Sequence, residues 1–372
     1  MVETQLPSTL AACEDGVCDL PSSFDDAEAA HEVLAAAGWT DGLPVRLPTA
    51  PAVRAMLELH GLDAEDGLGA LPPVWGQATY GRIAANAVMA GCRPEYLPVV
   101  VSALRAMQGE RFNMHGVQCT THVVAPLILV NGPLRDDLGI NSGHNCLGQG
   151  ARANATIGRA VRLAMVNIGG ATPGSLDKAT FGHPGKYTYC FGENEDNSPF
   201  PPFHTTRGYD AQQSTVTVFP GEAPHNVNNH SSVPMELLGA VADTMATLGN
   251  NNMYVSGEVM VVLGLDHAGL LDDAGFKRHN VQEFLHERAR LPVGKLRGHG
   301  MYAHDIERNL WPRWVDRRDD AAMVPIVRRP TDFHVVVAGG VGPHSLVIPG
   351  WGTRAVTSEI TLEDPRDSQN DD

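Results

Sequence analysis

The chain is short of positive charge: 27 Lys and Arg stand against 43 Asp and Glu, a formal net charge of -16 at pH 7. Nucleic acid and anionic lipid are held by basic faces, so this balance argues against nucleic acid or membrane partners and leaves small molecules or other proteins. Long apolar runs are also missing, and none reaches the roughly 20 residues of a membrane span. No Lys or Arg precedes Arg46, which speaks against a cleaved signal peptide and for a cytoplasmic location. Cysteine is sparse: Cys13, Cys18, Cys92, Cys119, Cys146 and Cys190 are too few and too scattered for a disulfide framework in 372 residues. No CxxC pair exists, so a four-cysteine zinc site is not indicated, and the full GxGxxG, Walker and GxSxG patterns are absent too.

What is abundant is histidine, 16 residues, many beside Gly, Pro or Asn rather than inside helical patterns. Loop histidines are where ligands and acid/base groups tend to be. The chemistry crowds into Phe112 to Gly150, around the aliphatic run Val123 to Val130. That run reads as a strand buried on both sides, with Pro126 a mark against a central position. Asn131-Gly132-Pro133 stops it, and the loop Asn141-Ser142-Gly143-His144-Asn145-Cys146 leads to a helix from Arg152. Chemistry is therefore expected at the carboxyl end of this strand, as in open α/β sheets.

The remaining pattern is α/β, with a mixed sheet and flanking helices. Helices are expected over 24–37, from Thr49 to His60, 79–89, 94–107, 152–168, 234–248 and 280–290, and strands over 214–219, 258–263 and 334–338. Residues 1–23 and 361–372 read as tails, the first carrying a possible Cys13/Cys18 dithiol, with one catalytic domain over 24–360. The strand-Gly-turn stretches LILVNGPLRDDLGI, VMVVLGLDHAGLLDDAGF and HVVVAGGVGPHSLVIPGW suggest duplicated αβα halves, 79–170 and 234–295, with Gly132, Gly264 and Gly339 to Gly342 along one sheet edge. Between them, 171–229 reads as a long irregular insertion covering the site.

Several constellations could carry chemistry. His115, Cys119 and His122 are spaced four and three apart, so one helical turn would put them on one face as zinc, iron or copper ligands; packed or hydrogen-bonding side chains are the plain alternative. Glu222, His225 and His230, in a Pro- and Asn-rich loop, would complete such a shell or move protons. The segment from Gly182 to Cys190 gathers His183, Lys186 and Tyr187, a base, an amine and a phenol. Asn141, Ser142, Gly143, Arg152, Asn154, Arg159 and Asn226 are candidates to hold a carboxylate, and His344 is a further acid/base candidate. The apolar helix from Tyr96 to Met107 suits either the core or the face of a homo-oligomer.

The stretches WGQATYGRIAANAVMAGCRPEYLPVV, INSGHNCLGQGARANATIGRA, GHPGKYTYCFGENE and TVTVFPGEAPHN together resemble a family of bacterial proteins of unassigned function. That family is associated with small proteins carrying a selenocysteine-Gly-Ser-Cys or Cys-Gly-Ser-Cys motif. The resemblance runs from about Asp41 to Ile360, supplies no reaction, and implies a thiol or redox context with a small separate partner; this chain has no CGSC motif of its own. The expectation is a metal-dependent hydrolase or lyase acting on a small polar, carboxylate-bearing molecule. The alternatives are a metal- or thiol-dependent oxidoreductase using Cys119, Cys146 and Cys190, and a non-enzymatic metal or small-ligand binding protein.

Overall fold

The computed structural model describes residues 24–255, 257–299 and 312–362. The tail expected over 1–23, with its Cys13/Cys18 pair, and all but the first two residues of that expected over 361–372 lie outside them. Within them, helices α1 (Phe24–Ala36) and α2 (Ala50–Glu58) precede a hairpin of β1 (Gly67–Leu71) and β2 (Gly76–Thr79). Helices α3 (Tyr80–Ala90), α4 (Leu97–Gln108) and α5 (Met114–Cys119) lead to β3 (Ala125–Asn131), α6 (Leu134–Asp137), α7 (Arg152–Asn167), β4 (Cys190–Gly192), β5 (Thr215–Gly221) and β6 (His225–Asn228). The rest comprises α8 (Pro234–Met245), β7 (Val259–Leu263), α9 (Leu265–Asp273), α10 (Arg278–Arg288), β8 (Arg290–Pro292), α11 (Val293–Leu296), β9 (Met323–Pro325), β10 (Phe333–Val337), β11 (His344–Pro349) and β12 (Val356–Glu359). Helix starts follow local chemistry: the Thr49 and Thr79 hydroxyls accept from the free N–H groups of Ala52 and Arg82.

The α/β expectation holds, with two mixed sheets in place of one. The first has the order β12-β5-β3-β4 and the second β10-β7-β11-β6. Both follow one plan. A central strand, β3 or β7, has a parallel neighbour, β4 or β10, on one side and an antiparallel one, β5 or β11, on the other. A parallel pair needs a crossover, and α6–α7 and α9–α10 lie in those two connections. The fourth strand of each sheet is exchanged: the chain leaving β5 forms β6 against β11, and the chain leaving β11 forms β12 against β5. The two crossings meet where Glu222 N donates to Pro349 O and Trp351 N to Pro220 O.

Strand alternation makes four layers. Leu127 and Leu129 of β3 meet Phe219, Met260, Val262, Val336 and Ile348 in a core between the sheets. Ile128 and Val130 point the other way, into a core with α3, α4 and α7, while Val259, Val261 and Leu263 pack under α8, α9 and α10. Helix α4 is buried within this chain, so it serves as core and not as an oligomer face. Pro126 nonetheless sits in a central strand. It lies opposite Pro220 of β5, and β4 begins opposite Ile128, so no ladder partner loses a donor.

Candidate functional site

The carboxyl end of β3, where chemistry was expected, is closed by mutually satisfied charges. Asn131 Nδ2 donates to Glu193 Oε2 (2.5 Å) and Glu195 Oε1 (2.7 Å), and Arg278 pairs with Glu193 Oε1 at 3.3 Å. Arg135 bonds Ser142 Oγ, Glu193 O, Asp136 and Asp196. Glu193 is fully buried, and burial pushes its carboxyl up to about 7 against the pull of Arg278, the Phe203 N–H and Asn131.

The chemistry gathers instead at the amino end of β3. Because β5 runs antiparallel to β3, Ala125 pairs with Gly221, and Glu222 lands beside the segment that enters β3. There His122 Nε2 donates to Glu222 Oε1 at 2.9 Å. Val124 N donates to His122 Nδ1 (3.1 Å), so the ring's proton is on Nε2. Trp351, delivered by the second strand crossing, packs against the same imidazole at 6.4 Å between centroids. On the other side of Glu222, Tyr189 OH donates to its carbonyl (3.0 Å), and the Tyr189 ring meets His183 edge-on at 5.7 Å.

His183 belongs to the irregular segment between α7 and β4, which α7 holds closely. A Cβ on Gly158 would sit 2.5 Å from Thr188 Oγ1 and 2.7 Å from Tyr189 N, so only glycine permits this approach. Gly185 N donates to His183 Nδ1 at 3.1 Å, leaving the proton on Nε2, which faces the Gly221 carbonyl without closing a hydrogen bond. Burial lowers the His183 pKa, with Lys186 and Arg162 adding to it and the Gly221 carbonyl and Glu222 opposing. The imidazole is therefore neutral at pH 7, with its one lone pair engaged by the Gly185 N–H.

Next to it lies a cavity of about 530 Å³, lined by Arg162, Asp177, Phe181, His183, Lys186 and Tyr187 among others. Lys186 Nζ binds both oxygens of Asp177, at 2.8 and 2.7 Å, and Arg162 stands 3.9 Å from the same carboxylate. Two cations thus share one buried anion; Asp41 also lines the cavity but is held by Arg159. Burial lowers the pKa of both cations while Asp177 raises it. Tyr187 is half-exposed and Phe181 almost fully exposed at the rim. Asp177 and Arg162 were not singled out as site residues in the sequence; Asp177, nine residues before Lys186, offered no motif.

The structure therefore brings His183, Lys186 and Tyr187 together, with Glu222 and His122 adjoining. It separates the others. Helix α5 carries His115 and Cys119 but ends there, because Thr120 turns extended (φ -73, ψ 156) and its hydroxyl caps His122 N; His122 thus leaves the expected shared face. His115 packs on Trp75 at 6.3 Å, His225 opens β6 with an exposed side chain, and His230 lies beyond the end of β6. Among the described residues, no three His, Cys, Asp or Glu side chains are grouped so as to hold a metal ion. The expected carboxylate clamp is also used up internally. Arg152 donates to Gly91 O, and Arg159 binds Asp41 at 2.7 and 2.8 Å together with the Leu43 and Pro44 carbonyls. Asn154 bonds Asn141 at both N and O, Asn141 Oδ1 caps Gly143 N, and Asn226 bonds His344, away from His183 and Lys186.

Among the described residues the thiols are unpaired. Cys92, Cys146 and Cys190 are buried, and burial pushes Cys92 up to about 12, Cys146 to about 11 and Cys190 higher still. Cys119 is partly exposed, raised by burial and by nearby Asp177. Among the described residues no helix is long and apolar enough to cross a membrane. No family model matches the chain, and no curated protein is significantly similar to it.

Proposed function

We propose that this protein is an enzyme of the hydrolase or lyase class that acts on a small polar molecule bearing a carboxylate. One observation carries the reading: two cations, the buried Arg162 and the partly buried Lys186, share the carboxylate of Asp177 in a cavity that His183 and Tyr187 also line. Lys186 and Arg162, which Asp177 alone bridges, would hold the substrate carboxylate. His183, neutral at physiological pH, would accept a proton at Nδ1 once the Gly185 N–H bond opens, and the Tyr187 phenol at the rim would return one to a leaving or developing anion. Glu222 would orient His122 and set the charge beside His183. The unpaired cysteines agree with a cytoplasmic setting.

The test is turnover of a library of small carboxylic acids by the purified full chain, read by mass spectrometry. Wild type should deplete at least one acid, and His183→Asn and Lys186→Met should each lower that rate by about 10²-fold or more. Full activity in both variants would refute the assignment, and binding without turnover would make the chain a binding protein.

A second reading retains a divalent zinc, iron or copper ion. His122 and Glu222 are neighbouring donors of suitable chemistry, and Cys119 lies a few residues away in the chain. Elemental analysis of the untagged protein by inductively coupled plasma mass spectrometry separates the two readings: near-stoichiometric metal, lost in His122→Ala, favours the metal. A thiol-dependent oxidoreductase with a small redox partner would have to work through Cys119, the thiol least shielded among those described.

A further inference from the structure

A second cavity, of about 510 Å³, lies at the free edge of the other sheet, between β10, the start of α10 and the turn Phe203–Arg207. It has no part in the chemistry above, and its lining is cationic: Arg207, Lys277 and Arg278 contribute, with His279, Gln282 and Thr331 beside them. In a chain of net charge -16 such a concentration needs a cause.

Arg207 is the informative residue. Its guanidinium lies 5.0 Å above the Phe203 ring and donates to His334 Nδ1 at 2.7 Å. Arginine can only donate, so Nδ1 carries the lone pair and Nε2–H points to Glu258 Oε2 at 2.9 Å. His334 thus bridges Arg207 to Glu258 and supplies no negative charge of its own. Among the described residues no carboxylate lies within ion-pairing distance of Arg207. Arg207 is partly buried, and the carboxylates of Glu258 and Asp332 favour its charge only from beyond ion-pairing distance, so an anion in the cavity would complete it. Arg278 points its guanidinium inward to Val335 O and to Glu193, a carboxyl that burial pushes towards its neutral form. Lys277 is exposed and shares Asp272 at 2.9 Å. The first turn of α10 adds the positive end of its dipole to the same wall.

We propose that this cavity binds a phosphate group, either as the free ion or as the head of a small phosphate ester. Three cationic side chains and a helix start surround a space larger than a planar carboxylate would fill, and together they suit a tetrahedral dianion. The buried Phe203 ring and the exposed Pro201 leave apolar room for the rest of an ester.

Isothermal titration calorimetry on the full chain, in low-salt buffer free of phosphate, tests this with inorganic phosphate, glycerol 3-phosphate and acetate. Phosphate should bind and acetate at least tenfold more weakly. Tighter binding of the ester would show that the cavity also holds the organic part; equal binding would show that the phosphate group alone is read. Arg207→Gln should weaken phosphate at least tenfold. Lys277→Gln, at an exposed position where misfolding is no concern, should weaken it severalfold. Lys186→Gln, in the other cavity, should leave it unchanged. The proposal is overturned if phosphate does not bind, if acetate binds as tightly, if both Arg207→Gln and Lys277→Gln bind like wild type, or if Lys186→Gln abolishes the signal.

Discussion

Replacing Asp177 by Asn tests the electrostatic core of the candidate site without any knowledge of substrate. Asp177 is 8% exposed; Lys186 Nζ lies 2.8 and 2.7 Å from its two oxygens and Arg162 3.9 Å away. Asparagine keeps the volume and can still accept from Ala179 N, which now bonds Oδ1 at 3.0 Å, so the backbone turn should survive. What is lost is the charge, leaving two cations side by side. Stripping one member from a buried pair costs about 3–5 kcal/mol. The Lys186 side chain retains 17% exposure, so water recovers part of this, and the expected loss is about 2–4 kcal/mol, a large fraction of a typical stability of about 5–15 kcal/mol. The assay is urea denaturation followed by circular dichroism, where the midpoint should fall with little change in slope. Lys186→Met alone should cost less, because Asp177 keeps Arg162. In the double variant much of the loss should return, with a coupling of about 1–3 kcal/mol. A loss below about 1 kcal/mol for Asp177→Asn, or additivity within about 0.5 kcal/mol, would refute the shared-carboxylate argument.

Three further outcomes are expected. Brief alkylation of the native protein, mapped by peptide mass spectrometry, should label Cys119 well before Cys92, Cys146 or Cys190, which burial keeps as thiols; rapid labelling of Cys190 would contradict its placement. Burial alone would raise the Glu258 carboxyl, but His334, the Ala355 N–H and Arg354 overrule it and hold the pKa at about 2. A depressed carboxylate contributes stability above its unfolded pKa and loses it as pH falls, so on the order of 3 kcal/mol should disappear between pH 4.5 and 2; a Glu258→Gln variant should show a flatter stability profile over that window, and an unchanged slope would count against the network. Arg159→Met should destabilise the fold by about 1–3 kcal/mol through its bonds to Asp41, Leu43 and Pro44 while leaving turnover intact, whereas a selective rise in KM would return Arg159 to substrate binding.

The sequence by itself determined the local elements whose signals are local. Thr49 and Thr79 mark helix starts because a hydroxyl there satisfies a free N–H, and the aliphatic runs in β3, β7 and β10 read as strands because both of their faces are buried. It also grouped His183, Lys186 and Tyr187, which lie within five residues of one another. The structure alone decided what long-range pairing decides. Short strands such as β4, β6 and β12 have little pattern of their own and exist through their partners. Glu222 meets His122 across 100 positions only because β5 runs antiparallel to β3. That same direction sets this pair at the amino end of β3 rather than at its carboxyl end. Arg152 and Arg159 looked like free anion ligands until the fold supplied Gly91 and Asp41, and only the fold sets Arg207 against His334. A charge declares its type in sequence, but its partner is fixed only by the packing that brings distant segments together.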